Sequence, residues 1–256
     1  MKVIGIIPAR MASSRFPGKP LAKIHGIPMV GHVYFRSKMA KILDDVYLAT
    51  CDKEIKEYTE SINGKAIMTS DKHERASDRT AEAMLKIEKE TEQKIDIVVL
   101  IQGDEPMLVP EMIEMAVKPM LKDESILVVN LMTPLKNVKE HEDPNEIKVV
   151  VDKDNFALYF SREPIPSRKK AAKEIPMLKQ VCIIPFRRDF LLKFNRLEPT
   201  PLERIESVDM LRILEYGYRV KMVESKYETY SVDTPEDLKR VEGKMRNDFL
   251  IRQYLK

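Results

Sequence analysis

Three short segments, far apart in the chain, carry residue types that together could act on a phosphorylated substrate. The first covers residues 8–21 (PARMASSRFPGKPL), in which Arg10, Arg15 and Lys19 stand among small residues directly after an apolar run. Small residues let backbone N–H groups approach phosphate oxygens, guanidinium groups bind phosphate through paired hydrogen bonds, and lysine adds a point charge. The charges alone would favour a solvated basic loop, but their position after the first predicted strand favours a triphosphate site. The loop matches neither GxxxxGK[ST] nor GxGxxG, which argues against P-loop NTPases and Rossmann dehydrogenases.

The other two segments supply carboxylates. Gln102, Gly103 and Asp104 follow the apolar run IVVLI, so a carboxylate is delivered at the end of a predicted buried strand. Such oxygen ligands suit Mg²⁺, although an ordinary polar turn explains the same residues. Further on, residues 231–238 (SVDTPEDL) are typical of a capped helix start, and Asp233 there is also a candidate second ligand. Two carboxylates from distant segments can converge on a metal that bridges triphosphate oxygens.

The elements that must position these segments alternate between strand and helix. In the first half, the apolar periodicity predicts strands at residues 3–8, 45–50, 65–69, 95–102 and 125–132, and helices at residues 29–40, 53–62, 76–94 and 110–121. This alternation predicts an α/β fold, a mostly parallel Rossmann-like sheet with helices on both faces.

The second half has a different texture. It predicts a hairpin (147–152 and 157–161), a basic mobile loop (167–173), strands (181–186 and 218–224) and helices (188–194, 203–216 and 235–254). We interpret residues 1–256 as a single domain that contains an inserted subregion.

Bulk composition excludes several classes of function. The net charge of +3, from 44 basic and 41 acidic residues, is too small to indicate a nucleic-acid-binding surface. The two cysteines belong to no CxxC pair, which argues against a disulfide framework or a structural zinc site. No apolar stretch approaches the length of a membrane span and no signal peptide is recognisable, so we expect a cytoplasmic protein without a membrane partner.

With these motifs identified, the chain resembles the 3-deoxy-manno-octulosonate (KDO) cytidylyltransferases, whose nearest relatives are the acylneuraminate cytidylyltransferases. The resemblance lies in IIPARMASSRFPGKPLA, VLIQGDEP, DKDNFALYFSREPIP and VDTPEDLKRV, in that order through nearly the whole chain. It implies transfer of CMP from CTP to a small acidic sugar, with Mg²⁺ as cofactor and release of pyrophosphate. It also implies the nucleotide-diphospho-sugar transferase fold, with a subregion at about residues 135–200 that binds the acceptor and pairs a homodimer through a small antiparallel sub-sheet.

The resemblance also implies the roles of individual residues. The catalytic set is Arg10, Lys19, Asp104 and Asp233, of which Asp104 and Asp233 hold the metal. The nucleotide-binding set is Pro8, Ala9, Arg10, Ser14, Arg15, Lys19, Ser77, Arg79, Gln102 and Asp104. The acceptor-binding set is Arg162 and Asp209. For Arg162 a structural ion pair is an equally good interpretation.

The chain departs from the family pattern where the sugar is bound. Residues 71–79 (DKHERASDR) lack the family's Ser-Gly-Thr, residues 181–186 lack its His and Tyr, and residues 208–212 (VDMLR) lack its Glu-Gln pair. We therefore hypothesise that the reaction is retained with an altered acceptor, such as a variant of KDO, another sugar acid or a phosphonate. There are two alternatives. One is a sensor that binds CTP or a sugar acid without turnover, and the other is a nucleotidyltransferase of the same fold that uses another nucleotide or a sugar phosphate.

Overall fold

The computed structural model describes residues 1–13, 15–169 and 175–254. The chain folds into two compact units. The first combines Met1–Glu114 with the C-terminal stretch that starts at Thr229, and the second is Met115–Glu228. The candidate catalytic residues fall in the first unit and the predicted acceptor-binding residues in the second.

The first unit is built on the apolar runs that the sequence pattern identifies. Its elements up to residue 101 are β1 (Val3–Pro8), a 3-10 helix (Lys19–Leu21), β2 (Lys23–Ile24), β3 (Ile27–Pro28), α1 (Met29–Lys38), β4 (Asp45–Thr50), α2 (Lys53–Ser61), β5 (Lys65–Met68), α3 (Ala76–Thr91) and β6 (Ile97–Ile101). Strands β6, β1, β4 and β5 pair in that order, and every pairing is parallel. All five residues of β6 are buried, as expected for a central strand of a parallel sheet that is covered on both faces. The carboxyl ends of these strands therefore meet at one edge, where the first two motifs follow β1 and β6.

A small hairpin after the 3-10 helix was not predicted. Strands β2 and β3 are antiparallel and are joined by a turn at His25 and Gly26. Both turn residues have positive φ (46° and 84°). Two left-handed residues are what a tight hairpin turn requires. Gly26 carries that signal in the sequence, whereas His25 does not, because a residue with a Cβ rarely adopts this conformation.

Helix α4 (Pro110–Lys122) runs across the sequence boundary between the units. The second unit then contains β7 (Val129–Pro134), α5 (Val138–Glu142), β8 (Lys148–Val151), β9 (Ala157–Ser161), β10 (Leu178–Val181), β11 (Ile183–Arg187), α6 (Arg188–Phe194), α7 (Pro201–Glu206), α8 (Met210–Glu215) and β12 (Lys221–Glu224). Its sheet has the order β12-β7-β10-β8-β9, in which β12 and β7 are parallel while the pairs β7–β10, β10–β8 and β8–β9 are antiparallel. The predicted hairpin is present as β8 and β9. The α/β class with a parallel sheet and a smaller antiparallel part is confirmed.

Three predicted elements are each divided in two. The helix predicted at 203–216 becomes α7 and α8, because Ser207 adopts a left-handed conformation (φ 53°) that ends the first helix. The strand predicted at 181–186 is replaced by β10 and β11, which are separated by a bend at Cys182. The helix predicted at 235–254 is α9 (Pro235–Met245) followed by α10 (Ile251–Tyr254). Within the described ranges, none of the helices has the length and apolar character needed to cross a membrane.

Candidate active site

The loop that follows β1 is fixed at its base by backbone hydrogen bonds. The N–H of Gly18 donates to the carbonyl of Met11 (3.1 Å), and Gly18 itself has a φ of 73°, in the left-handed region that favours glycine. The N–H of Met11 donates to the carboxylate of Asp52 (2.8 Å), which follows β4 at the same sheet edge. Met11 and Gly18 thus lie close together at the base of the loop; Ser14 lies outside the described residues.

The end of β6 packs tightly against the end of β1. A Cβ atom on Gly103 would lie 3.3 Å from the carbonyl oxygen of Pro8, so glycine permits this close approach. The next residue, Asp104, accepts a backbone hydrogen bond from the N–H of Val232 (3.0 Å). This contact joins the second and third motifs, which are more than a hundred residues apart in sequence.

Asp233 is held by the start of helix α9. Thr234 caps the helix, and its hydroxyl oxygen accepts from the N–H of Asp237 (3.2 Å). In return the Asp237 carboxylate accepts from the backbone N–H of Thr234 (3.0 Å) and of Asp233 (3.2 Å). The helix cap therefore also fixes the backbone of the candidate metal ligand.

The three motifs meet around one ammonium group. The Nζ atom of Lys19 lies 2.8 Å from Oδ2 of Asp104 and 3.3 Å from Oδ1 of Asp233. Arg15 donates to the same Asp233 oxygen through Nη2 (2.9 Å). Burial acts to lower the pKa of Lys19, but the charges and hydrogen bonds of the two carboxylates outweigh it, so the pKa lies above its ordinary value. Lys19 is accordingly a firmly cationic group between two carboxylates.

The donor set at this point fits a divalent cation. Oδ1 of Asp104 is buried and accepts no hydrogen bond among the residues that the structure describes, so this oxygen is available as a ligand. In the described part of the chain, no cluster of three or more His, Cys, Asp or Glu side chains forms a complete metal site. Two protein carboxylates, completed by phosphate oxygens and water, are the arrangement that Mg²⁺ commonly adopts in nucleotide sites.

The other predicted nucleotide-binding residues surround this centre unequally. Arg10 is exposed and donates through Nη1 to the carbonyl of His73 (3.4 Å). Arg79 is buried (3% exposed), and its guanidinium donates to the carbonyls of Ser70 (3.2 Å) and His73 (3.4 Å). In this structure Arg79 therefore anchors the loop that reaches Arg10. The remaining members of the set are half-buried or buried: Pro8, Ala9, Ser77 and Gln102.

Comparison with known proteins shows which family this chain belongs to. A cytidylyltransferase family profile matches residues 4–226. A 3-deoxy-manno-octulosonate cytidylyltransferase of Geotalea uraniireducens (strain Rf4) is 44% identical over 251 residues, which cover 94% of this chain and 98% of the relative. The enzyme of the same name from Geobacter metallireducens (strain ATCC 53774 / DSM 7210 / GS-15) is 42% identical, with coverage of 96% and 98%. The chain belongs to the 3-deoxy-manno-octulosonate cytidylyltransferase family. Its fold matches the solved structure of a CMP:2-keto-3-deoxy-manno-octonic acid synthetase in complex with CTP at a TM-score of 0.88 and 37% identity, covering 96% of this chain and 98% of the other.

The two predicted acceptor-binding residues of this KDO cytidylyltransferase family member lie in the second unit. Arg162, just after β9, donates through Nε to the carbonyl of Glu206 (2.6 Å) and through Nη1 to the carbonyl of Pro144 (2.8 Å). These partners are backbone carbonyls, so Arg162 anchors chain segments to one another in this structure. Asp209 is half-buried at the start of α8.

Two acidic residues that shape the site were not identified from the sequence as parts of it. Asp52 accepts from the N–H of Met11 in the loop after β1, and Asp237 accepts from the N–H of Asp233. For Asp52 the available signal was its position at the carboxyl end of β4, the edge at which parallel sheets bind ligands. For Asp237 the signal was its place three residues after the capping Thr234.

Proposed function

We propose that the chain transfers CMP from CTP to a hydroxyl of KDO and releases pyrophosphate, in a Mg²⁺-dependent reaction. The observation that carries the proposal is the ammonium of Lys19 held between Asp104 and Asp233 (2.8 and 3.3 Å), with each residue supplied by a different motif. The names of the relatives, and the CTP complex of the matching structure, support the choice of nucleotide and acceptor.

Catalysis by this site would depend on positioning and on charge. Arg10, Arg15 and Lys19 would bind the phosphates of CTP from the loop after β1. Asp104 and Asp233 would hold Mg²⁺, which when bound supplies positive charge against the phosphate oxygens. The acceptor hydroxyl would attack the α-phosphorus in line, so that the new O–P bond forms as the bond to the bridging oxygen of the departing pyrophosphate breaks, and the hydroxyl proton would pass to solvent. Stabilisation of the charge on the departing pyrophosphate would provide much of the rate enhancement.

Lys19 would change partners during this cycle. Its ammonium is paired with the two carboxylates in the structure. Because those carboxylates are the proposed metal ligands, nucleotide and metal together would let Lys19 exchange carboxylate for phosphate oxygens. While it is paired with the two carboxylates, its pKa lies above the ordinary value and the side chain is charged.

An asparagine at position 104 tests the catalytic assignment. Asp104→Asn removes a proposed metal ligand with little change in shape, and we expect kcat to fall by about 10²–10³-fold while the fold is retained. Asp189→Asn, at an exposed aspartate in the second unit, makes the same chemical change and should leave kcat unaltered. Pyrophosphate release from CTP and KDO measures both. Equal rates for Asp104→Asn and the wild type would contradict the proposal.

The same assay with a panel of acids identifies the acceptor. Turnover of KDO at a rate normal for an enzyme would overturn the altered-acceptor hypothesis. Faster turnover of another sugar acid or of a phosphonate would support that hypothesis and overturn KDO as the acceptor. Binding of CTP with no turnover of any acid would favour the sensor.

We also propose that the protein is a cytoplasmic homodimer. Strand β9 lies at the edge of the sheet in the second unit and exposes 61% of Leu158. Ile205, which is 75% exposed, precedes Glu206, and the carboxylate of Glu206 accepts from the hydroxyl of Ser161 on β9 (3.0 Å). The N–H of Ala157, the first residue of β9, donates to the carbonyl of Val220 (2.9 Å), so the strand is already paired at its start. An edge strand with large apolar side chains beyond that point favours pairing with a second copy.

A further inference from the structure

A buried polar network lies within the first unit and contacts the segment that follows Asp104. Its centre is Arg36 of α1, which is fully buried. Through Nε, Arg36 donates to the hydroxyl oxygen of Tyr254 (3.0 Å), and through Nη1 to the carbonyl of Leu108 (3.2 Å). Its Nη2 group forms an ion pair with Asp248. A buried guanidinium requires such complete pairing, because an uncompensated charge in the interior is very costly.

The hydrogens of this network can be assigned from its acceptors. The carbonyl of Ile24 can only accept, so Nε2 of His32 is the donor in their contact (2.8 Å). Burial, the largest effect, lowers the pKa of His32 to about 4, so the ring is neutral and its Nδ1 is an acceptor. The hydroxyl of Tyr254 accepts from Arg36 and therefore donates to Nδ1 of His32 (2.9 Å). The hydroxyl of Tyr254 thus joins the side chains of His32 and Arg36 through hydrogen bonds.

The network holds the chain shortly after two of the candidate catalytic residues, Lys19 and Asp104. Leu108 lies four residues after Asp104 and Ile24 lies five residues after Lys19. The loop that contains Asp104 is consequently fixed at three points: Gly103 against β1, the Asp104 carbonyl by Val232, and the Leu108 carbonyl by Arg36. Only the third of these contacts involves a side chain.

An apolar cluster connects the same C-terminal segment to the third motif. Its buried members are Ile24, Met29, Val232, Val241, Met245 and Ile251, and the partly buried residues packed against it are Phe16, Met107, Tyr230, Leu238 and Tyr254. Phe16 is the neighbour of Arg15, Met107 follows Asp104 closely, and Val232 precedes Asp233. Each charged segment of the site therefore rests on the cluster that the C-terminal helices complete.

From these contacts we propose that Arg36 and Tyr254 are positioning residues of the active site, which set the spacing between the loop of Asp104 and the segment of Asp233. The C-terminal segment, residues 246–254, is then part of the apparatus that shapes the metal site as well as part of the core. The inference rests on the proposed function for the identity of the metal site, but its contacts are independent of the acceptor.

Tyr254→Phe is the decisive variant. It removes one oxygen and keeps the ring, which stacks on Phe35 with centroids 5.2 Å apart. We expect the Mg²⁺ concentration for half-maximal rate to rise severalfold and kcat to fall by a similar factor, less than the roughly tenfold or greater loss that follows removal of a direct partner of a metal ligand, because Tyr254 acts through Arg36. The KM for the acceptor should not change, because the predicted acceptor contacts lie in the second unit. Mn²⁺ binding measured by electron paramagnetic resonance, with CTP and without acceptor, should weaken by the same factor.

Tyr58→Phe is the matched control. The Tyr58 hydroxyl is buried against Gly31 of α1 and has no hydrogen-bond partner among the described residues. Its removal makes the same chemical change beside the same helix but outside the network, so metal dependence should remain that of the wild type. Asp248→Asn, which removes the charge that faces Arg36, should move the metal dependence in the same direction as Tyr254→Phe.

Thermal unfolding separates positioning from stability alone. If Tyr254→Phe lowers the melting temperature but leaves Mn²⁺ affinity and kcat at wild-type values well below that temperature, the inference is overturned. A wild type that binds Mn²⁺ with CTP but transfers no CMP would refute the proposed function, while the Mn²⁺ measurement on Tyr254→Phe would still decide the positioning role. Failure of the wild type to bind Mn²⁺ with CTP would refute both.

Discussion

Acidification should destabilise the folded protein through His32, and the structure allows the size of the effect to be worked out. The ordinary pKa of this imidazole is 6.5, and burial, with smaller effects of the Arg36 and His25 charges in the same direction, lowers it to about 4 despite the hydrogen bond to Ile24. The unfolded chain therefore takes up a proton at a higher pH than the folded chain does. Because the unfolded state binds more protons between these two values, the free energy of unfolding decreases as the pH falls.

The magnitude follows from the distance of each pKa from the working pH. In the unfolded chain, pH 5 is about 1.5 units below the pKa of the imidazole, so the ring is protonated. In the folded chain the ring is still mostly neutral at that pH. At about 1.4 kcal/mol for each unit, the change from pH 7 to pH 5 costs about 2 kcal/mol through this one group. The contribution of neutral His32 to the free energy of unfolding is fully present above pH 6.5. It decreases as the pH falls to about 4, where the imidazole of the folded protein is protonated as well.

Urea denaturation of the wild type and of His32→Gln at pH 7 and pH 5 measures this effect. Glutamine can donate to Ile24 and accept from Tyr254 but does not titrate, so the variant should lose about 2 kcal/mol less than the wild type over this interval. Subtracting the two pH dependences removes the contributions of the other histidines. The reasoning would be wrong if both proteins lost the same stability, or if the His32 ring resonances in an NMR titration moved near pH 6.5.

Two further predictions concern the metal site and the subunit interface. Lys19→Met should reduce kcat, because a proposed phosphate-binding charge is removed. It should nevertheless tighten Mn²⁺ binding in the absence of nucleotide by about tenfold or more, because a cation within about 4 Å of the same carboxylates no longer competes with the metal. Weaker or equal Mn²⁺ binding would show that Lys19 does not compete with the metal for these carboxylates. Leu158→Glu should convert the proposed dimer to a monomer in sedimentation experiments, because it places a charge on the apolar edge strand. The control Leu85→Glu, at an exposed leucine of the first unit, should leave the dimer intact. A monomeric wild type would contradict the proposed dimer.

The proximity of Lys19 and Asp104 could be predicted from the sequence, because both residues follow strands of the same parallel sheet. Parallel strands bring their carboxyl ends together, so a basic loop after the first predicted strand and an acid after the fourth had to lie at the same edge of the sheet. Asp233 was a candidate second ligand from its own segment, the resemblance to a known family implied the same role, and the structure brings it to 3.3 Å from Lys19. Its roles in binding nucleotide and metal stay predictions.

Other parts of the structure are decided by contacts that no local pattern reveals. The break at Ser207 lies within an apolar periodicity that favours continuous helix, so the left-handed residue could not be anticipated from spacing. The partners of Arg36 are 72, 212 and 218 residues away. Likewise Arg162 was assigned to a substrate carboxylate or an ion pair, whereas its guanidinium donates to backbone carbonyls, which no sequence identifies as partners.

The shared carboxylate of Asp237 ties two properties of the protein to one group. It completes the cap of α9 and also accepts the backbone N–H of Asp233. In most helices an altered cap changes only how firmly the first turn is held. Here a replacement at this position would also remove a hydrogen bond that holds the backbone of Asp233, a proposed metal ligand. Few substitutions at residues 233–237 would therefore be tolerated, either in engineering for heat resistance or during evolution. The exposed face of the same helix can vary widely.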